Sequence, residues 1–344
     1  MTLDKKQWLI IRMIVFVMIL AATQEAQAMH IMEGFLPPKV CLAWGVLCIP
    51  FLVIGLAKIQ RMVKENPQAM IFLAMAAAFT FVLSALKLPS VAGSSSHMTG
   101  LGFAVILFGP SVASVMALIV LLFQALLLAH GGLTTLGANE FSMGIVGPLA
   151  AFAVYAGLNK ARAPRSVAIF SAAALGDLAT YVITSIQLAL VYPSESGGVA
   201  ASFLKFSGIF AVTQVPLAIV EGILTVVLIN VIAAYGKEIL PSFEKGHMTG
   251  KSILVNVGLL LLAVVIVVTP LAMVKDSEFE GADGKASVVI EEMDESFKPW
   301  FSSLWEPPGG ETESMLFALQ AALGSGVIFY CLGYLKGKSR REKS

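Results

Sequence analysis

A free α-amine beside a histidine is a compact metal chelator, and this sequence can make one at Met29-His30. Residues 1–28 have the three parts of a secretory signal. There is a charged start (Asp4, Lys5, Lys6, Arg12), an apolar run from Met13 to Ala22, and an A-x-A cleavage site at Ala26 and Ala28. Cutting after Ala28 leaves Met29 with a free amine and His30 as the second residue. The amine, the His30 backbone nitrogen and the His30 ring then form fused chelate rings, which are forced toward a plane. The ring of His97 would bring the set to four nitrogens. Such tetragonal nitrogen sites suit Ni(II) and Cu(II), with Co(II) next in the affinity order. The amide must lose its proton, so affinity should rise with pH. The alternative is an uncleaved membrane helix over 8–22, with His30 an ordinary interfacial histidine. The apolar run is short against the ~20 residues of a span, which favours cleavage.

The other candidates separate by position. His97 lies in the small-residue loop Ser94–Gly100, where a lone histidine is ordinarily solvated or capped. His130 ends an apolar tract before Gly131-Gly132 and reads as a helix-end histidine, while His247 falls in a basic linker. Glu33 reads as an interfacial charge, because carboxylate oxygen suits harder ions. Glu140, Asp177 and Glu221 lie in or beside apolar tracts, where ionisable groups are expensive and face the protein interior. They brace helices or line a path, and bracing is the simpler role. Cys41, Cys48 and Cys331 form no C-x-x-C pair and read as small packing residues. Gly246–Ser252 resembles a phosphate-binding loop, but three residues separate its glycines where four are needed. No G-x-S-x-G, H-E-x-x-H or H-x-E…C-x-x-C stands in the chain, so an enzyme is not expected.

The elements that must position these groups are membrane helices. Hydrophobic residues make up 57% of the chain and charged ones 13%, against about 25% charged in a soluble domain. A net charge of +1 argues against nucleic acid as a partner. The expected fold is an all-α polytopic helical bundle in the lipid bilayer. Spans read near 40–57, 68–86, 102–129, 140–158, 167–191, 204–235, 253–274 and 315–335. That makes about eight after signal removal, or nine if 102–129 counts as two. Gly109-Pro110-Ser111 should break that long tract, since proline removes a backbone donor and disfavours helix before it.

Basic residues set the orientation. Lys58, Arg61 and Lys64 follow the first span, Lys160, Arg162 and Arg165 the fourth, Lys237, Lys245 and Lys251 the sixth, and five more close the chain. Placing all of them in the cytoplasm satisfies the positive-inside rule. The 102–129 tract must then begin and end outside, as two short halves would. Met29, His30 and the loop 88–100 also fall outside, and the C-terminus inside. The acidic segment 275–314 reads as an outer loop, and the stretch from Lys237 to Lys251 as a cytoplasmic linker.

The start Met29-His30-Ile31-Met32-Glu33-Gly34-Phe35-Leu36-Pro37 resembles that of the CbiM/NikM family, substrate-binding membrane components of energy-coupling-factor transporters for cobalt and nickel. The likeness runs through Ser96–Gly100, Leu107–Pro110, Gln124–Leu126, Gly137–Asn139 and Met143-Gly144. The tail motifs Glu278–Asp283, Lys298–Phe301, Leu304–Pro308 and Leu316–Leu323 resemble CbiN, the small two-helix partner in cobalt systems. After the signal peptide read over 1–28, the resemblance implies a CbiM-like metal-binding domain over 29–250 and a CbiN-like module over 251–344. It implies metal ligands at Met29, His30 and His97, Co(II) as transported substrate with Ni(II) the nearest rival, and no resident cofactor. It also implies partners: a membrane coupling subunit and ATPase subunits, in the cell membrane. The encoded leader departs from the family pattern, and the amine ligand exists only once it is removed.

Overall fold

The computed structural model describes residues 30–90, 94–235, 250–274, 280–294 and 296–341. The leader 1–28, Met29 and His247 lie outside the described residues. The helices are α1 (Pro38–Glu65), α2 (Ala69–Leu83), α3 (Gly102–Phe108), α4 (Pro110–Leu127), α5 (Leu136–Lys160), α6 (Arg165–Val191) and α7 (Gly198–Tyr235). After them come α8 (Gly250–Met273), α9 (Ala282–Met293) and α10 (Gly310–Arg341). Among the described residues seven helices are long and apolar enough to cross a membrane, and α2 adds a shorter apolar one. These eight correspond to the eight spans expected. Helices dominate because lipid offers the backbone no hydrogen-bond partner, so each segment must satisfy its own.

Burial orders the bundle. In α4, α6 and α7 more than half of the membrane window is covered by protein (56%, 56% and 61%), whereas α1 has 11% and α8 and α10 each 28%. The first group is therefore the core, and the second leaves most of its surface for lipid. Neighbouring helices approach α6 closely through small residues. A Cβ on Gly176 would press into Ala151, and one on Gly102 into Ala173.

The long tract breaks where expected: α3 stops at Phe108, Gly109 takes φ +85°, and Pro110 opens α4. Its halves are unequal, however, at 7 and 18 residues. The ammonium of Lys58, late in α1, donates to the Phe108 carbonyl at this break. His30 precedes α1 and His130 follows α4, so both lie at the end of the bundle opposite Lys58 and Gly109.

Two short strands sit at that end. In β1 (Lys87–Pro89) and β2 (Ser94–His97), paired antiparallel, Lys87 stands opposite His97. A third strand, β3 (Glu280–Gly281), adds to β2 in parallel. The acidic segment is thus more than a loop, since it contributes β3 and the 12-residue α9. The apolar residues Ala282, Ala286, Val289 and Ile290 recur at helical spacing, and they are buried with Ile31, Phe35 and Leu36.

Candidate metal centre

The chain from His30 to Leu36 is strapped to the turn after α4. Asn139 grips Ile31 from both sides, its Oδ1 accepting the Ile31 N–H at 2.9 Å and its Nδ2 donating to the Ile31 carbonyl at 3.0 Å. Thr135 Oγ1 donates to the same carbonyl at 2.6 Å. Glu33 is no interfacial charge. It is buried, and its carboxylate accepts the N–H groups of Leu133 (2.6 Å) and Thr134 (2.8 Å) as well as the Thr134 hydroxyl. Gly34 turns the chain at φ +73°, and a Cβ there would collide with the Phe301 backbone. Trp300 Nε1 donates to the Leu36 carbonyl at 2.7 Å, so the C-terminal segment also ties down this lead.

The loop of His97 is held from below by two buried carboxylates. Glu221 accepts from Thr99 Oγ1 (3.1 and 3.0 Å) and from the N–H groups of Gly100 (3.0 Å) and Gly102 (3.4 Å). Asp177 accepts the Thr99 N–H at 3.2 Å. Tyr181 donates to the His97 carbonyl at 3.3 Å, and Thr80 to that of Gly100 at 3.0 Å. Both acidic residues therefore brace the chain beside His97. Glu140 opens a π-helical stretch, Glu140–Val146, within α5, and neither of its buried oxygens has a hydrogen-bond partner among the described residues.

His130 is not an isolated helix-end residue. Left-handed Ala129 (φ +50°) and Gly131 (φ +74°) turn the chain over the end of α4, and the His130 N–H reaches back to the Gln124 carbonyl at 3.2 Å. That turn swings the ring inward. His30, His97 and His130 form a triangle with every pair of ring centroids 5.0 Å apart. Their ligand atoms all lie within 4.8 Å of one another, and each residue is at most 5% exposed. His97 Nε2 and His130 Nε2 are 2.9 Å apart.

The rings are poised to be neutral. Burial holds His30 and His130 well below the ordinary imidazole range and takes His97 down to about 4. The nearby Lys87 charge works in the same direction on all three. His30 Nε2 and His130 Nδ1 have no hydrogen-bond partner among the described residues. Buried, neutral, inward-facing imidazoles without a carboxylate in the cluster are donors for borderline divalent metals such as Co(II), Ni(II) and Zn(II), and poor ligands for Mg(II) or Ca(II). The structure thus brings together His30 and His97 of the expected ligands and adds His130. The usable sequence signal for His130 was positional, since the end of α4 had to share a membrane face with His30.

Residues 30–239 match the family model described as the cobalt uptake substrate-specific transmembrane region, CbiM. Residues 253–344 match the cobalt transport protein component CbiN. The cobalt transport protein CbiM of Chlorobium limicola is 60% identical over 218 residues, which is 63% of this chain and 86% of that protein. The cobalt transport protein CbiM of Kyrpidia tusciae is 55% identical over 238 residues, 68% of this chain and 96% of that protein. Among solved structures, a truncated transition metal transporter aligns with a TM-score of 0.50 at 25% identity, over 58% of this chain and 96% of that one. By its residues 30–239 the chain belongs to the CbiM family, and over 253–344 it carries a CbiN region in the same polypeptide.

Proposed function

We propose that this protein is the substrate-binding membrane component of an energy-coupling-factor importer and takes up Co(II). The observation that carries the reading is the meeting of three buried, neutral imidazoles at one end of a membrane bundle, directly behind the segment that a signal-peptide cut would free. In this reading the Met29 amine, the His30 backbone and ring nitrogens and the His97 ring hold the ion, with His130 as the third imidazole at the site. Metal enters from the outer face, where positive-inside reasoning places the centre. No P-loop motif stands in the sequence, and the energy comes from ATPase subunits acting through a membrane coupling subunit.

Nickel is the second reading, and the planar nitrogen set favours it on chemistry alone. The relatives named for cobalt and the CbiN region favour cobalt. The test is uptake of radiolabelled cobalt and nickel, each in competition with the other, by cells carrying the chain with its partner subunits. Cobalt accumulation that is lost in His97→Ala and resists excess nickel supports the reading, whereas uptake that survives His97→Ala sinks it. N-terminal sequencing of the purified protein decides the amine ligand: a start at Met29 supports it, and an intact leader removes it.

A further inference from the structure

One face of α10 reaches the metal centre. Glu313, Phe317, Gln320 and Gly324 recur at i, i+4, i+7 and i+11, which places them on a single helix stripe. Gly324 lets α10 pack against Ala78 and Val82 of α2, where a Cβ would not fit. Gln320 donates to the Phe81 carbonyl (2.8 Å) and to Ser84 Oγ (3.2 Å). Phe317 meets the His130 ring edge-on, with centroids 5.2 Å apart. Glu313 pairs with Lys87 at 3.1 Å, and the Lys87 ammonium also stands 4.0 Å over the Phe317 ring.

Lys87 is the unusual member of this set. It is only 3% exposed, and its strand partner is His97. A buried ammonium beside an imidazole cluster repels any divalent cation that enters, and low dielectric strengthens that repulsion. One anion paired with it, Glu313, belongs to the CbiN region.

We infer that Glu313 is a charge-compensating residue of the metal centre, pairing with Lys87 and so reducing the repulsion that this buried ammonium exerts on a divalent cation held by the imidazoles. Docking of α10 thereby brings to the metal centre an ion pair that sets metal affinity. This rests on the reading of the three imidazoles as the cobalt site.

The experiment measures Co(II) binding to the purified, membrane-processed chain in detergent, for wild type, Glu313→Gln, Lys87→Met and the double variant, with His97→Ala as the blank. Compensation predicts an order: Lys87→Met tightest, wild type and the double variant alike, and Glu313→Gln weakest. The drop for Glu313→Gln is expected to be roughly tenfold, within the ~5–150-fold usual for two coupled sites. A pair that only fastened α10 would leave wild type the tightest of the four, and that order overturns the inference. Should Glu313→Gln fail to fold, Lys87→Met decides alone, with tighter binding supporting compensation and equal or weaker binding overturning it. A wild type that binds Co(II) no better than His97→Ala would instead overturn the site itself.

Discussion

His97 and His130 meet nitrogen to nitrogen at 2.9 Å, and the surrounding bonds settle which of them carries the proton. His97 Nδ1 faces the Met98 carbonyl at 3.0 Å, and a carbonyl can only accept, so Nδ1 holds the hydrogen. His97 Nε2 is therefore a lone pair, aimed into the cluster by the backbone behind it, as in metal-bound histidines generally. His130 Nε2–H donates to it, leaving the His130 lone pair on Nδ1.

The two histidines should then differ when removed. His97→Ala takes away the oriented lone pair and is expected to abolish Co(II) binding. His130→Ala removes the group that orients and neighbours it, for an expected loss of ~10–100-fold. Equilibrium binding of radiolabelled cobalt distinguishes the two, and equal losses would show that His130 stands on a par with His97.

The same burial makes folding sensitive to acid. An unfolded histidine takes its proton near pH 6.5, whereas folded His97 does so at about 4. Between those values the unfolded state binds more protons, so stability rises with pH and falls as pH drops. His30 and His130 are shifted the same way. The Tm of the metal-free protein should decline from about pH 7 to about pH 4.5, and His97→Ala should flatten the decline. A Tm independent of pH over that window would contradict neutral burial of the rings.

Much of this was legible in the sequence, for identifiable reasons. Apolar tracts report membrane helices directly, because lipid leaves the backbone no other option, and Gly109-Pro110 announced its break through lost donors. His30 and His97 were found because a chelate and a loop on one face are short-range facts. His130 was hidden: its inward aim depends on left-handed Ala129 and Gly131, which nothing local to a Leu-Ala-His-Gly-Gly string compels. Glu33 was misjudged because its partners, Leu133 and Thr134, lie about a hundred residues away. Helix α9 went unseen in an acidic segment because its apolar stripe is short and begins with two alanines, and it needs the Ile31–Leu36 lead to bury it.

The Asn139 clamp gives a prediction about the metal site without touching a ligand. Asn139→Leu keeps the volume and removes both bonds to Ile31, leaving its buried N–H unpaired, at a cost of about 1–3 kcal/mol, and its carbonyl with Thr135 as the remaining donor. The strain falls on His30, the adjacent residue. Cobalt affinity should drop with a smaller effect on nickel or cobalt selectivity, because the donor atoms are unchanged. A titration of each metal in competition reads both quantities, and undiminished cobalt affinity would mean the lead is held elsewhere.

Glu221 offers the sharpest separation of positioning from binding. Its carboxyl group accepts from three donors, the Thr99 hydroxyl shared between both oxygens and the N–H groups of Gly100 and Gly102, so it sets the path of the chain just after His97. Glu221→Gln is nearly isosteric, but its amide end presents donors where donors already point. A buried N–H left without its acceptor costs about 1–3 kcal/mol, so the turn at Thr99–Gly102 loosens while the helices around it remain packed. Deuterium exchange should rise in the peptide spanning 94–104 and stay unchanged in α8, with Co(II) affinity falling alongside it. Saturating Co(II) should restore much of the lost protection, since metal on His97 holds the loop from its other end. If protection in 94–104 is unaltered while affinity falls, Glu221 acts on the metal site other than through the loop; if neither changes, the loop is fixed by its other partners, Asp177, Tyr181 and Thr80.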